Sequence, residues 1–331
     1  MRNMQVLAIF YSCLPIENAE RSVVKYIEED TVEVVDYSIQ EYSAISMQGD
    51  KLYAPGLSSR DKAKRENQLS ESLEDFNSNP DSLSYIIWFG RRLSNLFLFK
   101  EAIKVYTDGI EKFPESYELY RHRGESFLTI REFDNAIMDL EKAAFYVRNV
   151  PIIMEEGSAR NRRNIPRVSI QFNIWYQLGY SYFLKGNYDK AISGFKKCLN
   201  LSNNDDMLVL ATDCLYMTYR RLGNLETATE LLEPIQRRMN VIEHRAYHNN
   251  LLMYKGLKRP SELFNLEKTD LSLRQLIQGY GVGNWYRLNG QREKGFEIYD
   301  KMLTSDYWPS FGYLSAEVDL SRLRVKEKSK N

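Results

Sequence analysis

Few residues in this chain of 331 have the chemistry of a catalytic or metal centre, since His and Cys number only three each. His244 and His248 stand four apart, so a helix would put both on one face. That spacing can hold zinc. The segment reads His-Arg-Ala-Tyr-His, however, without the Glu that follows the first His in zinc hydrolase helices, and Arg245 opposes a cation. A solvated helix face is the expectation, and no metal is assigned. Gly279-Tyr280-Gly281-Val282-Gly283 is glycine-rich but follows no strand and lacks the spacing of a phosphate-cradling loop. It reads as close helix packing. Cys198 and Cys214 are expected as free core thiols, with a disulfide between them only in an exported chain. There is no Gly-x-Ser-x-Gly, no paired-carboxylate signature and no zinc-ligand cluster. No catalytic residue and no cofactor follow, and the chain is expected not to be an enzyme.

Lys and Arg together number 45, and so do Asp and Glu. A net charge of zero argues against a generic polyanion binder, so no nucleic-acid partner is expected. Nine Pro and 17 Gly leave room for long uninterrupted helices. The elements show themselves through repetition. Gly90 and Gly124 are 34 apart, and the same offset carries Ala102 to Ala136, Tyr106 to Leu140 and Gly109 to Ala143. A third copy lies at Trp175, Leu178, Gly179, Tyr182, Ala191, Phe195 and Cys198. Small residues at two places let paired helices approach closely. Large ones between them fill the gap to the next pair, so no pair is stable without neighbours.

This pattern resembles the tetratricopeptide (TPR) family motif, W-x2-L-G-x2-Y followed by Ala, an aromatic, a small residue and Pro. The third copy follows it through Cys198 but has Asn203 in place of Pro. The resemblance implies an all-α fold, an α-solenoid of about six TPR-like helical hairpins with a C-terminal capping helix. The turn glycines Gly186, Gly223, Gly256 and Gly290 count the later copies. The hairpins are expected at 83–116, 117–150, 172–205, 209–241, 242–275 and 276–309, with the cap at 310–323. The solenoid is expected over 58–323, opened by an amphipathic helix from Ser58 to Phe76, with a polar tail at 324–331. Stretches such as Trp88 to Arg92, Leu119 to Gly124 and Gly281 to Tyr286 are similar to a bacterial group of TPR proteins without assigned activity.

In the family the first helix of each hairpin lines a concave groove. Carried onto this chain, the ligand positions are Arg91 and Asn95, then Arg121, Glu125 and Thr129, then Tyr176, Tyr180 and Phe183. They continue with Asp213, Met217 and Arg221, then Asn250 and Tyr254, then Tyr280, Asn284 and Arg287. Tyr and Arg dominate binding hot spots. Arg91 and Arg121, one repeat apart, could take a carboxylate bidentately. This looks like a relative of the family's carboxylate clamp, although the clamp's Lys and Asn pattern is not reproduced. The resemblance thus implies a scaffold for a protein or peptide segment, of unknown identity. Two other readings stand beside it. One is an enzyme or ligand-binding protein working through an insertion at 151–171, where the repeat register breaks and Arg160, Arg162, Arg163 and Arg167 cluster. The other is a structural subunit whose groove is filled by residues 17–50.

The N-terminal residues 1–16 read as a short secretory signal, a lipoprotein signal with the lipid on Cys13, or an apolar first strand. A lipid there would be the chain's only membrane attachment. Exported and cytoplasmic locations both fit. Residues 17–57 are expected to be irregular, apart from a short strand at Thr31 to Val35.

Overall fold

The computed structural model describes residues 5–9, 23–27, 42–155 and 165–328. Two short antiparallel hairpins precede the helices. β1 (Gln5–Ile9) pairs with β2 (Val23–Ile27), Gln5 opposite Ile27, and β3 (Ala44–Ile45) pairs with β4 (Lys51–Leu52). Then follow α1 (Ser59–Ser78), α2 (Leu83–Asn95), α3 (Phe99–Lys112), α4 (Tyr117–Thr129), α5 (Phe133–Tyr146), α6 (Ile170–Lys185) and α7 (Tyr188–Leu201). The chain continues through α8 (Asp205–Arg221), α9 (Leu225–Glu230), α10 (Arg245–Tyr254), α11 (Leu273–Leu288), α12 (Arg292–Met302) and α13 (Phe311–Lys328). The fold is the all-α solenoid of helical hairpins that the repeat implies. Cys13 and the segment Thr31 to Val35 lie outside the described residues.

Local chemistry sets the helix starts. Ser58, Ser82, Ser116, Ser169 and Asn204 each turn a side-chain oxygen onto a free N–H of the first turn. The repeat's small positions are where helices cross: Ala102, Ala136, Ala191 and Ala228 have no exposed surface. In the third hairpin a methyl group added to Gly194 would stand 2.9 Å from the Gly179 Cα, so α6 and α7 touch backbone to backbone. The turn between paired helices needs one left-handed residue. Gly186, Gly223, Gly256 and Gly290 take it in the last four hairpins, with φ between 75° and 85°. Phe97 (φ 64°) and Arg131 (φ 73°) take it in the first two, a strained choice for residues with a Cβ.

The structure departs from the expected hairpins in two places. The second helix of the fourth, α9, is six residues long. Pro234 follows it, and proline can neither donate a backbone hydrogen bond nor fit the preceding turn of a helix. In the fifth hairpin α10 is followed only by a single 3-10 turn at Pro260–Glu262. Buried Ile235, Val241, Leu263, Phe264 and Leu271 fill the places that second helices would have filled.

Within the 151–171 insertion, Met154 and Ser169 form an isolated antiparallel bridge. Glu155 N–H donates to Val168 O (3.0 Å) and Ile170 N–H to Ile153 O (2.8 Å). α6 begins inside the expected insertion, and the Gln171 amide binds the Pro151 carbonyl (2.7 Å). Arg167 pairs with Asp206 at 2.9 Å, whereas Arg160, Arg162 and Arg163 are outside the described residues.

The last helix does more than cap. Residues 312–320 are buried on every side of α13. It runs alongside α11 so closely that a Cβ on Gly312 would meet the Leu276 carbonyl at 2.3 Å.

Candidate concave-face site

Sequence-predicted groove residues from α2, α4, α6, α8, α10 and α11 fall into three groups. The rear group is closed by α13. The Phe311 ring lies 5.6 Å from the Tyr176 ring and 4.6 Å from the Tyr180 ring. The Tyr180 hydroxyl donates to the Phe311 carbonyl and shares a hydrogen bond with the Ser315 hydroxyl. Arg221 and Arg287 both donate to Asp319, at 2.8 and 2.7 Å, and Arg221 is also held by Asn284 Oδ1 (2.9 Å) and the Tyr280 hydroxyl (2.7 Å). These two arginines sit in the last turns of α8 and α11, where the helix dipole favours cations. Burial raises the Asp319 pKa, but Arg221 and Arg287 outweigh it and hold the carboxyl below its ordinary range. Phe183 is buried beneath the Arg221 guanidinium. Among the described residues it is α13 that packs against these positions; residues 17–22 and 28–41, part of the segment expected to fill the groove, lie outside the described residues.

Sequence reasoning missed the struts that fix α13. Arg131 donates to Glu317 at 3.0 and 2.8 Å, and the other Glu317 oxygen accepts Met47 N–H (2.9 Å). The β3–β4 hairpin thereby joins the first repeats to the last helix, with Ala44, Phe99, Trp308 and Tyr313 packed together. The signal was present in the turn register, where Arg131 stands in the place of a turn glycine.

The middle group is a buried polar cluster. Asp213 is 1% exposed and faces the side chains of Asn250 and Tyr254. Burial pushes its pKa well above the ordinary carboxylate value, against the opposing pull of Tyr254 and Asn250. Both side chains lean on Gly281, where an added Cβ would meet the Asn250 amide at 2.3 Å. Met217 is buried with them in the main core.

The front group is different. Arg121, expected as a groove residue open to ligand, is 4% exposed and engaged. Its Nη1 and Nη2 bind the two carboxylate oxygens of Glu155, which reaches in from the insertion and also accepts from Asn173. Arg121 Nη2 also contacts the His122 ring at 3.1 Å. Thr129 is turned inward and bonds the Glu125 carbonyl. Arg91 keeps partial solvent access and lies over the Trp88 ring at 4.4 Å. Among the described residues no carboxylate is within ion-pair distance of it, while Arg121, Arg131, Arg221 and Arg287 all have one. Burial lowers the Arg91 pKa, an effect that Glu155 and Glu125 counter from a distance. Asn95 is exposed and Glu125 is half open beside it.

Elsewhere, His248 Nε2 bonds the Gln236 carbonyl at 2.7 Å, and Cys198 and Cys214 are buried and free. Among the described residues no group of three or more His, Cys, Asp or Glu side chains converges as for a metal ion, and no helix is long and apolar enough to cross a membrane.

Residues 172–205, the third hairpin, match the family described as Tetratricopeptide repeat. No curated protein matches the chain. Several solved structures are similar in part. A crystal structure of MamA aligns over 60% of this chain and 95% of its own, with 16% identity and a TM-score of 0.42. YrrB, described as a TPR protein with an unusual peptide-binding site, aligns over 70% of this chain and 90% of its own, with 16% identity and a TM-score of 0.41. MamA from Desulfovibrio magneticus RS-1 aligns over 54% and 94%, with 15% identity and a TM-score of 0.38. The hairpin at 172–205 thus matches a tetratricopeptide repeat, and the same small positions and left-handed turns recur on both sides of it along the helical solenoid.

Proposed function

We propose that the chain is a non-enzymatic scaffold that binds a protein or peptide segment at the front of its concave face, with Arg91 as the anchoring cation. One observation carries this reading. Arg91 is the groove arginine without an internal carboxylate among the described residues, and it is partly desolvated over Trp88. A partner carboxylate arriving there would meet a guanidinium already oriented by an aromatic face. Asn95 and Glu125 border it with open polar groups. The rear of the groove supports this division of labour, because Tyr180, Arg221, Tyr280, Asn284 and Arg287 already hold α13. In this reading they are the frame and the front is the reader.

The test is affinity capture from the native host with the wild-type chain and with Arg91→Ala, read by mass spectrometry. Arg91→Ala is expected to lose the captured partner while keeping its helical circular dichroism. Undiminished capture by a folded Arg91→Ala chain rejects the assignment.

A further inference from the structure

The segment Pro151–Glu155 lies on the protein as a bound peptide would. It is extended, and Glu155 N–H and Ile153 O pair with residues 168 and 170. Ile152 and Ile153 stand 55% and 39% exposed, so their burial is not what holds it. Its one deeply buried side chain is Glu155, at 6%, inserted between Arg121 of α4 and Asn173 of α6. Both receptor residues belong to first helices of adjacent hairpins. The same Arg121 Nη2 that binds Glu155 also contacts the His122 ring at 3.1 Å. Arg121 Nε, fully buried, has no partner, so the cradle has a donor to spare.

We propose that Arg121 and Asn173, with Arg91 at the rim, form a recognition site for an extended segment carrying a glutamate, occupied in cis by Pro151–Glu155. The proposal rests on the scaffold reading above and names its partner: a chain segment with a Glu side chain, preceded by apolar residues, that takes the place of residues 151–155. Exchange is favoured by its symmetry. Removing Glu155 alone leaves a buried guanidinium unpaired, which is costly, whereas replacing one carboxylate by another keeps the pair. The tethered segment competes at high effective concentration, so a free peptide binds the wild-type chain weakly.

The test uses the full chain and a fluorescein-labelled peptide, Val-Pro-Ile-Ile-Met-Glu, copying residues 150–155. Its C-terminus is amidated, so the Glu side chain is the peptide's own only carboxylate, and the Gln version with the same label controls for the carboxylate of the dye. Fluorescence anisotropy is expected to show Glu155→Ala binding it about a hundredfold or more tighter than wild type. Glu155→Ala with Arg121→Ala should lose the gain, and a Gln version of the peptide should not bind. If Glu155→Ala proves unfolded by circular dichroism, Glu155→Gln, which keeps the shape, carries the same prediction. A folded Glu155 variant with no gain in affinity overturns the proposal, as does equal binding of the Gln peptide. The two readings separate cleanly. Capture that survives Arg91→Ala removes the scaffold assignment while a peptide gain in Glu155→Ala still stands, and the converse holds.

Discussion

At the scale of single residues, the concave face divides by whether a charge is already answered. Arg91 is not, so Arg91→Ala should change stability by less than about 0.5 kcal/mol. Arg121→Ala strands Glu155 in the interior and should cost about 3–5 kcal/mol. Urea unfolding of the two variants checks this ordering. His122 is buried, and desolvation with the nearby charges of Arg121 and Arg91 holds its pKa well below 6.5. The folded state therefore resists the proton that the unfolded chain takes up below about pH 6.5. Stability should be full above that pH and fall as pH drops through it, and the urea midpoint at pH 5 against pH 7 measures the loss. His122→Asn should flatten it. Asp213 has the opposite sign. Its folded pKa is raised, so its burial costs stability as pH climbs above the unfolded value of about 4. Asp213→Asn should then raise the thermal midpoint at pH 7, by a gain on the order of 1 kcal/mol that shrinks toward pH 4.

At the scale of elements, the hairpins were readable wherever spacing alone decides packing. Ala102, Ala136 and Ala191 recur at one offset from Gly90, Gly124 and Gly179, and each is fully buried at a helix crossing. Gly194→Val would push a branched side chain against the Gly179 backbone and should destabilise the third hairpin by about 1–3 kcal/mol or more, seen as a lowered thermal midpoint. What spacing could not reveal was local backbone chemistry overriding the period. Pro234 cuts short the second helix of the fourth hairpin, and that of the fifth is reduced to one 3-10 turn, while their apolar residues still find the core. Phe97 and Arg131 hide the turn position because they are not glycine. Of the candidate site, the residue types and the face were legible. Their partners were not, since Asp319 lies 98 residues from Arg221 in the last helix, and Glu155 lies in the insertion where the repeat register breaks.

At the scale of the whole molecule, the decisive feature is that α13 both caps the last hairpin and reaches across to the groove residues of earlier ones. Asp319 gathers Arg221 and Arg287, Glu317 gathers Arg131 and the β3–β4 hairpin, and the first and last repeats are tied through one helix. Asp319→Ala should leave two guanidinium groups unanswered and cost about 3–5 kcal/mol. Adding Arg221→Ala to it should cost less than Arg221→Ala does alone, because the groups act as one network. In the proposed reading this closure leaves recognition to the region around Arg91. A photo-crosslinking side chain placed at Asn95, exposed beside Arg91 in the proposed site, and at Met138, exposed on α5, puts that claim to the most direct test. The partner should crosslink from position 95 and not from 138, and the crosslink should vanish when Arg91 is Ala. Crosslinking from 138, or a position-95 crosslink indifferent to Arg91, would contradict it.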